Sequence, residues 1–204
     1  RLYGIIDREV LTARPISKQA EILKDLDVDI IQLRDKKSDK EGILKEAWQL
    51  RELLLKSKKI FIINDYCDIA KIVDADGIHL GQGDTSLATA RQLFGKDKII
   101  GISCHNLKQA LEAQNKGADY ISIGPVFSTP TKPEYKAVGL SLIQKIKNGT
   151  HMPFFAIGGI NESNIAQVLS AGAKRVAVLR AVCKAKDTAQ TIQKLSKILH
   201  KNNE

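Results

Sequence analysis

The sequence predicts a single-domain α/β protein, a (β/α)8 (TIM) barrel spanning residues 1–204. Three observations predict it. Eight short β-branched apolar runs recur with starts roughly 17 to 33 residues apart, the spacing of βα units. The runs are continuously apolar, as suits strands buried on both faces. Between them the apolar residues follow a helical period. Eight strands alternating with about eight helices favour a closed barrel. A doubly wound open sheet has fewer strands at this length, and no GxGxxG follows the first run.

The expected strands are Leu2–Asp7, Asp29–Asp35, Ile60–Asp65, Gly77–Gly81, Ile99–Cys104, Tyr120–Val126, Pro153–Gly159 and Arg175–Val182. After the second, Ser38–Asp39–Lys40–Glu41 is a capping-box pattern, and Leu44, Ala47 and Trp48 share one helical face. After the fifth, a helix from Asn106 carries Leu107, Ala110 and Leu111 inward and stops near Gly117. After the seventh, a helix from about Asn161 buries Ile165, Val168 and Leu169 and stops near Gly172. Glycine is the residue expected at such left-handed stops. Asp187 opens a last helix, with Ile192, Leu195 and Leu199 facing inward. No linker, low-complexity tract or second domain interrupts the pattern.

Composition narrows the function classes. Hydrophobic residues make up 43% and charged residues 27%, the balance of a soluble globular domain. No run approaches the roughly 18 apolar residues of a membrane span, so no membrane partner is expected. The first residues carry no basic-then-apolar leader, which points to a cytoplasmic protein. The net charge of +9 fits either a Lys-rich solvated surface or a field that draws in phosphorylated substrates. Nucleic acid is not an expected partner: aromatics are only 5%, and no dense basic block interleaves with them. Cys67, Cys104 and Cys183 show no metal spacing and read as reduced thiols. A homo-oligomer is left open.

In such barrels the active site lies at the C-terminal ends of the strands. The second strand ends in Gln32, Arg34 and Lys36 at alternate positions, so one amide and two cations share a face, which either enters the barrel mouth or forms a surface-exposed basic strand end. Arg offers a planar fork for phosphate oxygens, and Lys a point charge. The third strand ends Asn64–Asp65 and the fourth runs into Gly81–Gln82–Gly83–Asp84. Two carboxylates on neighbouring strand ends could hold one Mg²⁺ together with substrate phosphates. Asp65 and Asp84 could equally cap helices beginning at Tyr66 and Thr85. Ser103 could bond an oxyanion, and His105 could titrate or, as is more usual for a lone His, simply begin the next helix. The sixth strand leads into a Pro-bounded loop with Thr129, Thr131 and Lys132, suited to phosphate binding or to an ordinary turn. The seventh ends Gly158–Gly159 before a helix, and the eighth ends Leu179–Arg180. Loops after strands seven and eight often form a phosphate site in this fold, with glycine letting backbone N–H groups approach the anion.

Taken in order, Leu2–Tyr3–Gly4–Ile5–Ile6–Asp7, Gln32–Leu33–Arg34–Asp35–Lys36, Ile63–Asn64–Asp65, His79–Leu80–Gly81–Gln82–Gly83–Asp84, Gly101–Ile102–Ser103–Cys104–His105, Gly124–Pro125–Val126–Phe127 and Gly158–Gly159–Ile160 resemble the thiamine-phosphate synthase family over nearly the whole chain. The resemblance implies a transferase of thiamine biosynthesis. Hydroxymethylpyrimidine diphosphate would lose diphosphate, through a pyrimidine carbocation, and thiazole phosphate would take the methylene carbon. It implies that Gln32, Arg34, Lys36, Asn64, Ser103 and Lys132 bind the pyrimidine diphosphate, with Arg34, Lys36, Ser103 and Lys132 catalytic. It places Mg²⁺ on Asp65 and Asp84. Thr129, Thr131, Gly159 and the Leu179–Arg180 backbone would hold the thiazole phosphate. The family usually has a small Ser at the place of Arg180, so this side chain either adds a phosphate contact or crowds the site.

Rival readings are a thiazole tautomerase of the same fold, a barrel that only binds thiamine precursors, and a generic phosphate-binding lyase or isomerase. The tautomerase family resembles this chain but needs no metal, tends to lack the paired aspartates and uses a His at the place of His105. Asp65 and Asp84 favour the synthase, and a generic lyase or isomerase would need a catalytic base that is not evident.

Overall fold

A computed structural model describes residues 1–201. Eight parallel strands close into a barrel in sequence order. They are β1 (Leu2–Asp7), β2 (Ile30–Arg34), β3 (Ile60–Asn64), β4 (Gly77–Leu80), β5 (Ile99–Cys104), β6 (Tyr120–Ile123), β7 (Phe154–Ile157) and β8 (Val176–Val178). β1 closes the ring on β8 from Leu2–Val176 to Gly4–Val178. The helices among the described residues are α1 (Ile16–Lys24), α2 (Lys40–Leu54), α3 (Cys67–Ile72), α4 (Leu87–Phe94), α5 (Leu107–Asn115), α6 (Gly139–Gly149), α7 (Ile165–Ser170), α8 (Arg180–Cys183) and α9 (Thr188–Lys201). None is long and apolar enough to cross a membrane.

Strand side chains alternate between two cores. Leu2, Ile6, Ile31, Leu33, Phe61, Ile63, Ile78 and Ile100 join the layer shared with the helices. Tyr3, Ile5, Ile30, Ile62, Tyr120, Phe155 and Ala177 fill the barrel itself. Tyr3 and Tyr120 each meet the Phe155 ring edge-on, at centroid distances of 5.2 and 5.5 Å. Gly101 of β5 makes room for this aromatic floor: a Cβ there would lie 2.1 Å from Tyr120 Cζ. Continuing along the strands on the same parity, the inward residues become polar: Gln32, Asn64, His79, Ser103 and Ser122. The floor closes the barrel by apolar burial, and the polar row above it opens toward the loops.

The structure revises several local expectations. Asp39, not Ser38, caps α2, its carboxylate accepting from the Gly42 N–H at 2.8 Å. The buried row of α2 is Ile43, Ala47, Leu50 and Leu54, while Trp48 is 43% exposed. The expected face was turned by about one residue from this row of three- and four-residue steps. Asn106 and Asp187 cap α5 and α9 as their sequence position suggests, each accepting an N–H three residues on at 2.9 Å. Within α5, however, Ala110 and Ala113 are the buried residues, with Leu107 and Leu111 only partly covered. Neither Asp65 nor Asp84 caps a helix: Tyr66 and Ser86 occupy those cap positions.

The largest revision concerns the eighth strand. It stops at Val178 rather than running to Val182, and Leu179 becomes the N-cap residue of α8. The reason is packing against β1. The Cys183 thiol donates to the Ile5 carbonyl and accepts from the Asp7 N–H, both at 3.4 Å, and Val182 is buried. An extended chain would carry these residues past β1; one helical turn folds them onto it. Arg180 therefore opens a helix and does not end a strand.

Candidate active site

The mouth of the barrel encloses a cavity of about 350 Å³. Gln32, Arg34, Asn64 and Ser103 reach it from β2, β3 and β5, and Thr129, Thr131 and Lys132 from the loop after β6. Gly159, Leu179 and Arg180 line its other side, together with Gly158 and Asn161. Lys36, Asp65 and Asp84 stand beside this cavity rather than in its lining.

Those three form one cluster. Lys36 Nζ is 2.9 Å from Asp65 Oδ2. Asp84 Oδ2 accepts from the Gly81 N–H at 2.7 Å, which turns the loop after β4 back on itself. Asp65 has a left-handed backbone, φ +65°, and its N–H donates to the His79 carbonyl at 2.9 Å. This conformation is costly for a side chain with a Cβ and aims the carboxylate across the strand ends. Burial pushes the Asp65 carboxyl above its usual range, and the hydrogen bond with Asp84 adds to this against the pull of Lys36. Burial pushes Asp84 the same way, but the bonds from Asp65 and from the Gly81 N–H bring it below the usual range. Two carboxylates shifted in opposite directions thus lie together beside one ammonium, an arrangement that a hard cation bound between them can relieve. The donor set fits Mg²⁺: two oxygen ligands from the protein, leaving further positions for phosphate and water.

Cations face this pair. Arg34 Nη1 donates to Asp7 Oδ2, and Asp7 is itself fully buried and fixed by the Val10 N–H at 2.9 Å. Burial lowers the Lys132 ammonium, and the nearby Arg34 and Lys36 charges lower it further. Such like-charge crowding is relieved by an anion. Lys132 Nζ also lies 5.4 Å from the centre of the Tyr135 ring, which stacks on His105 at 4.5 Å. The His105 Nδ1 is 2.6 Å from the Gly124 carbonyl. His105 is thereby tied into the loop that carries Lys132.

The opposite side is built from backbone. Gly158 and Gly159 have φ values of +102° and +67°. A Cβ on Gly158 would lie 2.4 Å from Pro125 Cβ, and one on Gly159 would lie 2.8 Å from Phe127 Cβ. Only glycine lets this turn approach the loop after β6, whose Phe127 N–H donates to the Gly158 carbonyl at 3.0 Å. The buried Thr131 hydroxyl has no protein partner among the described residues. A hydroxyl in that condition calls for an acceptor or donor from the cavity.

Sequence reasoning assigned no role to several residues of this site. His79 is buried, with Nε2 2.9 Å from Ser103 Oγ and Nδ1 3.0 Å from the Tyr120 hydroxyl. Burial, and then the Lys132 charge, push its pKa down to about 4, so the ring is neutral. Tyr3, Tyr120 and Ser122 join it below the cavity, and Asp7 holds Arg34. Strand parity could have found them: His79 and Asp7 are polar residues at inward positions of apolar strands, the same signal that marked Gln32 and Arg34.

The thiamine monophosphate synthase family model matches residues 2–182. The chain belongs to this family. The thiamine-phosphate synthase of Halalkalibacterium halodurans is 45% identical over 200 residues, covering 98% of this chain and 95% of that protein. That of Clostridium acetobutylicum is 37% identical and covers 100% and 96%. Among solved structures, thiamine phosphate pyrophosphorylase from Pyrococcus furiosus superposes with a TM-score of 0.91 at 33% identity, covering 100% and 97%. A 3-hexulose-6-phosphate synthase, at 20% identity and a TM-score of 0.68, shares the fold alone. Within the thiamine monophosphate synthase family frame, the Asp65–Asp84 pair and the glycine turn at Gly158–Gly159 lie on opposite sides of one cavity mouth.

Proposed function

We propose that the chain condenses 4-amino-2-methyl-5-hydroxymethylpyrimidine diphosphate with 4-methyl-5-(2-hydroxyethyl)thiazole phosphate, giving thiamine phosphate and diphosphate. The observation that carries this is one cavity with two unlike anion sites: three cations beside a carboxylate pair on one side, and a glycine–hydroxyl cradle on the other. A diphosphate with its Mg²⁺ suits the first, and a monophosphate suits the second.

In this reading Arg34, Lys36 and Lys132 grip the diphosphate, and Gln32, Asn64 and Ser103 hold the pyrimidine end. Asp65 and Asp84 hold Mg²⁺, which supplies charge neutralisation for the leaving diphosphate when bound. The methylene C–O bond breaks and the diphosphate departs with the bonding electrons. The thiazole nitrogen donates its lone pair to that carbon, forming the C–N bond of a thiazolium. No proton is transferred to or from carbon, so no general base is required. The three cations stabilise charge that grows as the C–O bond stretches, and that difference between ground and transition states is what accelerates the step. Thr129, Thr131, Gly159 and the Leu179–Arg180 segment orient the thiazole phosphate for in-line approach. Reaction within the cytoplasm and from a soluble barrel, alone or as a homo-oligomer, fits this chemistry.

The test incubates the protein with both substrates and Mg²⁺ and measures thiamine phosphate and diphosphate in equal amounts. No turnover under these conditions defeats the reading. Isomerisation of the thiazole phosphate alone, without metal, would favour the tautomerase instead.

A further inference from the structure

A single file of hydrogen bonds crosses the floor of the cavity, from one wall to the other. Gln32 Nε2 donates to the Tyr3 hydroxyl at 2.7 Å, and the Tyr3 hydroxyl meets that of Tyr120 at 3.0 Å. The Tyr120 hydroxyl meets His79 Nδ1 at 3.0 Å, and His79 Nε2 meets Ser103 Oγ at 2.9 Å. Gln32, Tyr3, His79 and Ser103 all line the cavity, with Tyr3 buried in its floor, and Tyr120 is buried beneath it. A phenol has one proton to give, and a neutral imidazole has one N–H. The chain can therefore run in only two orders. If Gln32 gives to Tyr3, then Tyr3 gives to Tyr120 and Tyr120 gives to Nδ1. The single ring proton is then on Nε2 and points at Ser103. Run backwards, the Gln32 amide must turn so that Oε1 accepts from Tyr3, the Ser103 proton is spent on Nε2, and Ser103 can only accept.

We propose that Tyr3 and Tyr120 are positioning residues that set this proton order, fixing His79 as its Nε2–H tautomer so that Ser103 presents a hydroxyl proton to the substrate. The inference rests on the synthase reading, in which the cavity takes an aminopyrimidine diphosphate. Such a substrate brings an amino donor and several acceptors. In the forward order Gln32 keeps its carbonyl free for the amino group, and Ser103 keeps its proton free for a ring nitrogen or diphosphate oxygen. The reverse order leaves Ser103 without a donor on the side where negative charge grows. The order is thus matched to the substrate's own pattern of donors and acceptors. Ser122 fits the same direction: its hydroxyl lies 3.4 Å from Ser103 Oγ and 3.3 Å from His79 Nε2, so it can give its proton to Ser103.

The experiment is ¹⁵N NMR of the full chain labelled at histidine, in the absence of substrates, with His79→Gln identifying the signals. The expected wild-type result is an unprotonated Nδ1 and a protonated Nε2 for His79. Tyr120→Phe removes the donor to Nδ1, so the His79 pair of signals should move toward a mixture of tautomers. In parallel kcat/KM for the pyrimidine diphosphate should fall about tenfold, the scale of one hydrogen bond, with KM for thiazole phosphate unchanged. Tyr3→Phe, which keeps the Tyr120–His79 contact, should shift the signals in the same direction by less, and it serves if Tyr120→Phe does not fold. A protonated Nδ1 in the wild type overturns the proposal. So does an unchanged His79 spectrum in whichever variant folds. Because the spectrum is read without turnover, an inactive wild type would defeat the synthase reading and leave the proton order separately decided.

Discussion

Lys36 Nζ and Asp65 Oδ2 lie 2.9 Å apart, joining the end of β2 to the residue that follows β3. The ammonium opposes the burial and the Asp84 contact that push the Asp65 carboxyl above its usual range. Asp84 is brought below its usual range by the bonds from Asp65 and the Gly81 N–H, and further by the Lys36 and Lys132 charges. Replacing Asp84 by Ala should remove half of the metal-binding pair and lower kcat/KM by about 10²–10³, the range seen when one stabilising group at a developing charge is lost. His105→Ala should cost about tenfold or less, since its ring is tied to the Gly124 carbonyl and Tyr135. Steady-state kinetics on the two variants decide it; the opposite ranking would favour a tautomerase.

Removal of Mg²⁺ with EDTA should abolish coupling and leave the fold intact. The Asp65 carboxylate already has the Lys36 ammonium as its partner, so the cluster keeps a counter-charge when no metal is bound. Thermal unfolding with and without EDTA, in the absence of substrates, should show nearly the same Tm. A large drop in Tm would mean that the metal is structural.

Arg180 borders the cavity with no ion pair or hydrogen bond to another side chain among the described residues. Arg180→Ser should raise KM for thiazole phosphate about tenfold, a loss near 1.5 kcal/mol for one charged hydrogen bond, and leave KM for the pyrimidine diphosphate unchanged. A lower KM in this variant would instead show that Arg180 crowds the site.

Gly158→Ala should lose both stability and thiazole phosphate affinity. The new methyl would sit 2.4 Å from Pro125 Cβ at a φ of +102°, and neither the proline nor the backbone can yield cheaply. Urea unfolding should show a loss of about 2 kcal/mol or more. Gly83→Ala, where a Cβ would meet nothing within 4 Å, should be close to neutral.

Acid should weaken the fold through His79. Its folded pKa, about 4, lies below the ordinary 6.5, so the unfolded chain binds a proton that the folded ring refuses. The contribution to stability is complete above about pH 6.5 and is lost progressively as the pH falls toward 4, to a limit of about 3 kcal/mol. Unfolding free energies measured from pH 7 to 4.5 should fall, and His79→Gln should flatten the part of that slope between pH 6.5 and 5. An equal slope in the variant would place the acid sensitivity elsewhere.

The barrel was legible because each strand is a continuous β-branched run, and a buried parallel strand needs no other signal. Gln32 and Arg34 were legible by parity, as cations or amides on an apolar strand require a reason to face inward. The helical end of β8 was not, because Val176 to Val182 reads as an apolar run broken only by Arg180, and only the contact of Cys183 with β1 decides where it coils. The face of α2 was misplaced by a residue because Leu44 and Trp48 are as apolar as the Ile43 and Leu50 that are buried. His79 escaped a role because its partners, Ser103 on β5 and Tyr120 and Ser122 on β6, lie on other strands. Asp65 and Asp84 could be read as caps or ligands from local sequence; their mutual contact is a property of neighbouring strand ends, which local sequence does not contain.

The thiol of Cys183 fastens the α8 turn to Ile5 and Asp7, two residues from the other end of the chain. The side of the cavity that faces Arg180 is therefore assembled only when the first strand meets the last. During synthesis Lys132, in the loop after β6, and the segment around Arg180, after β8, are both made late, so neither wall of the mouth is complete until most of the barrel has been made. The two walls of the mouth therefore come into being together, in a single late step, with ring closure.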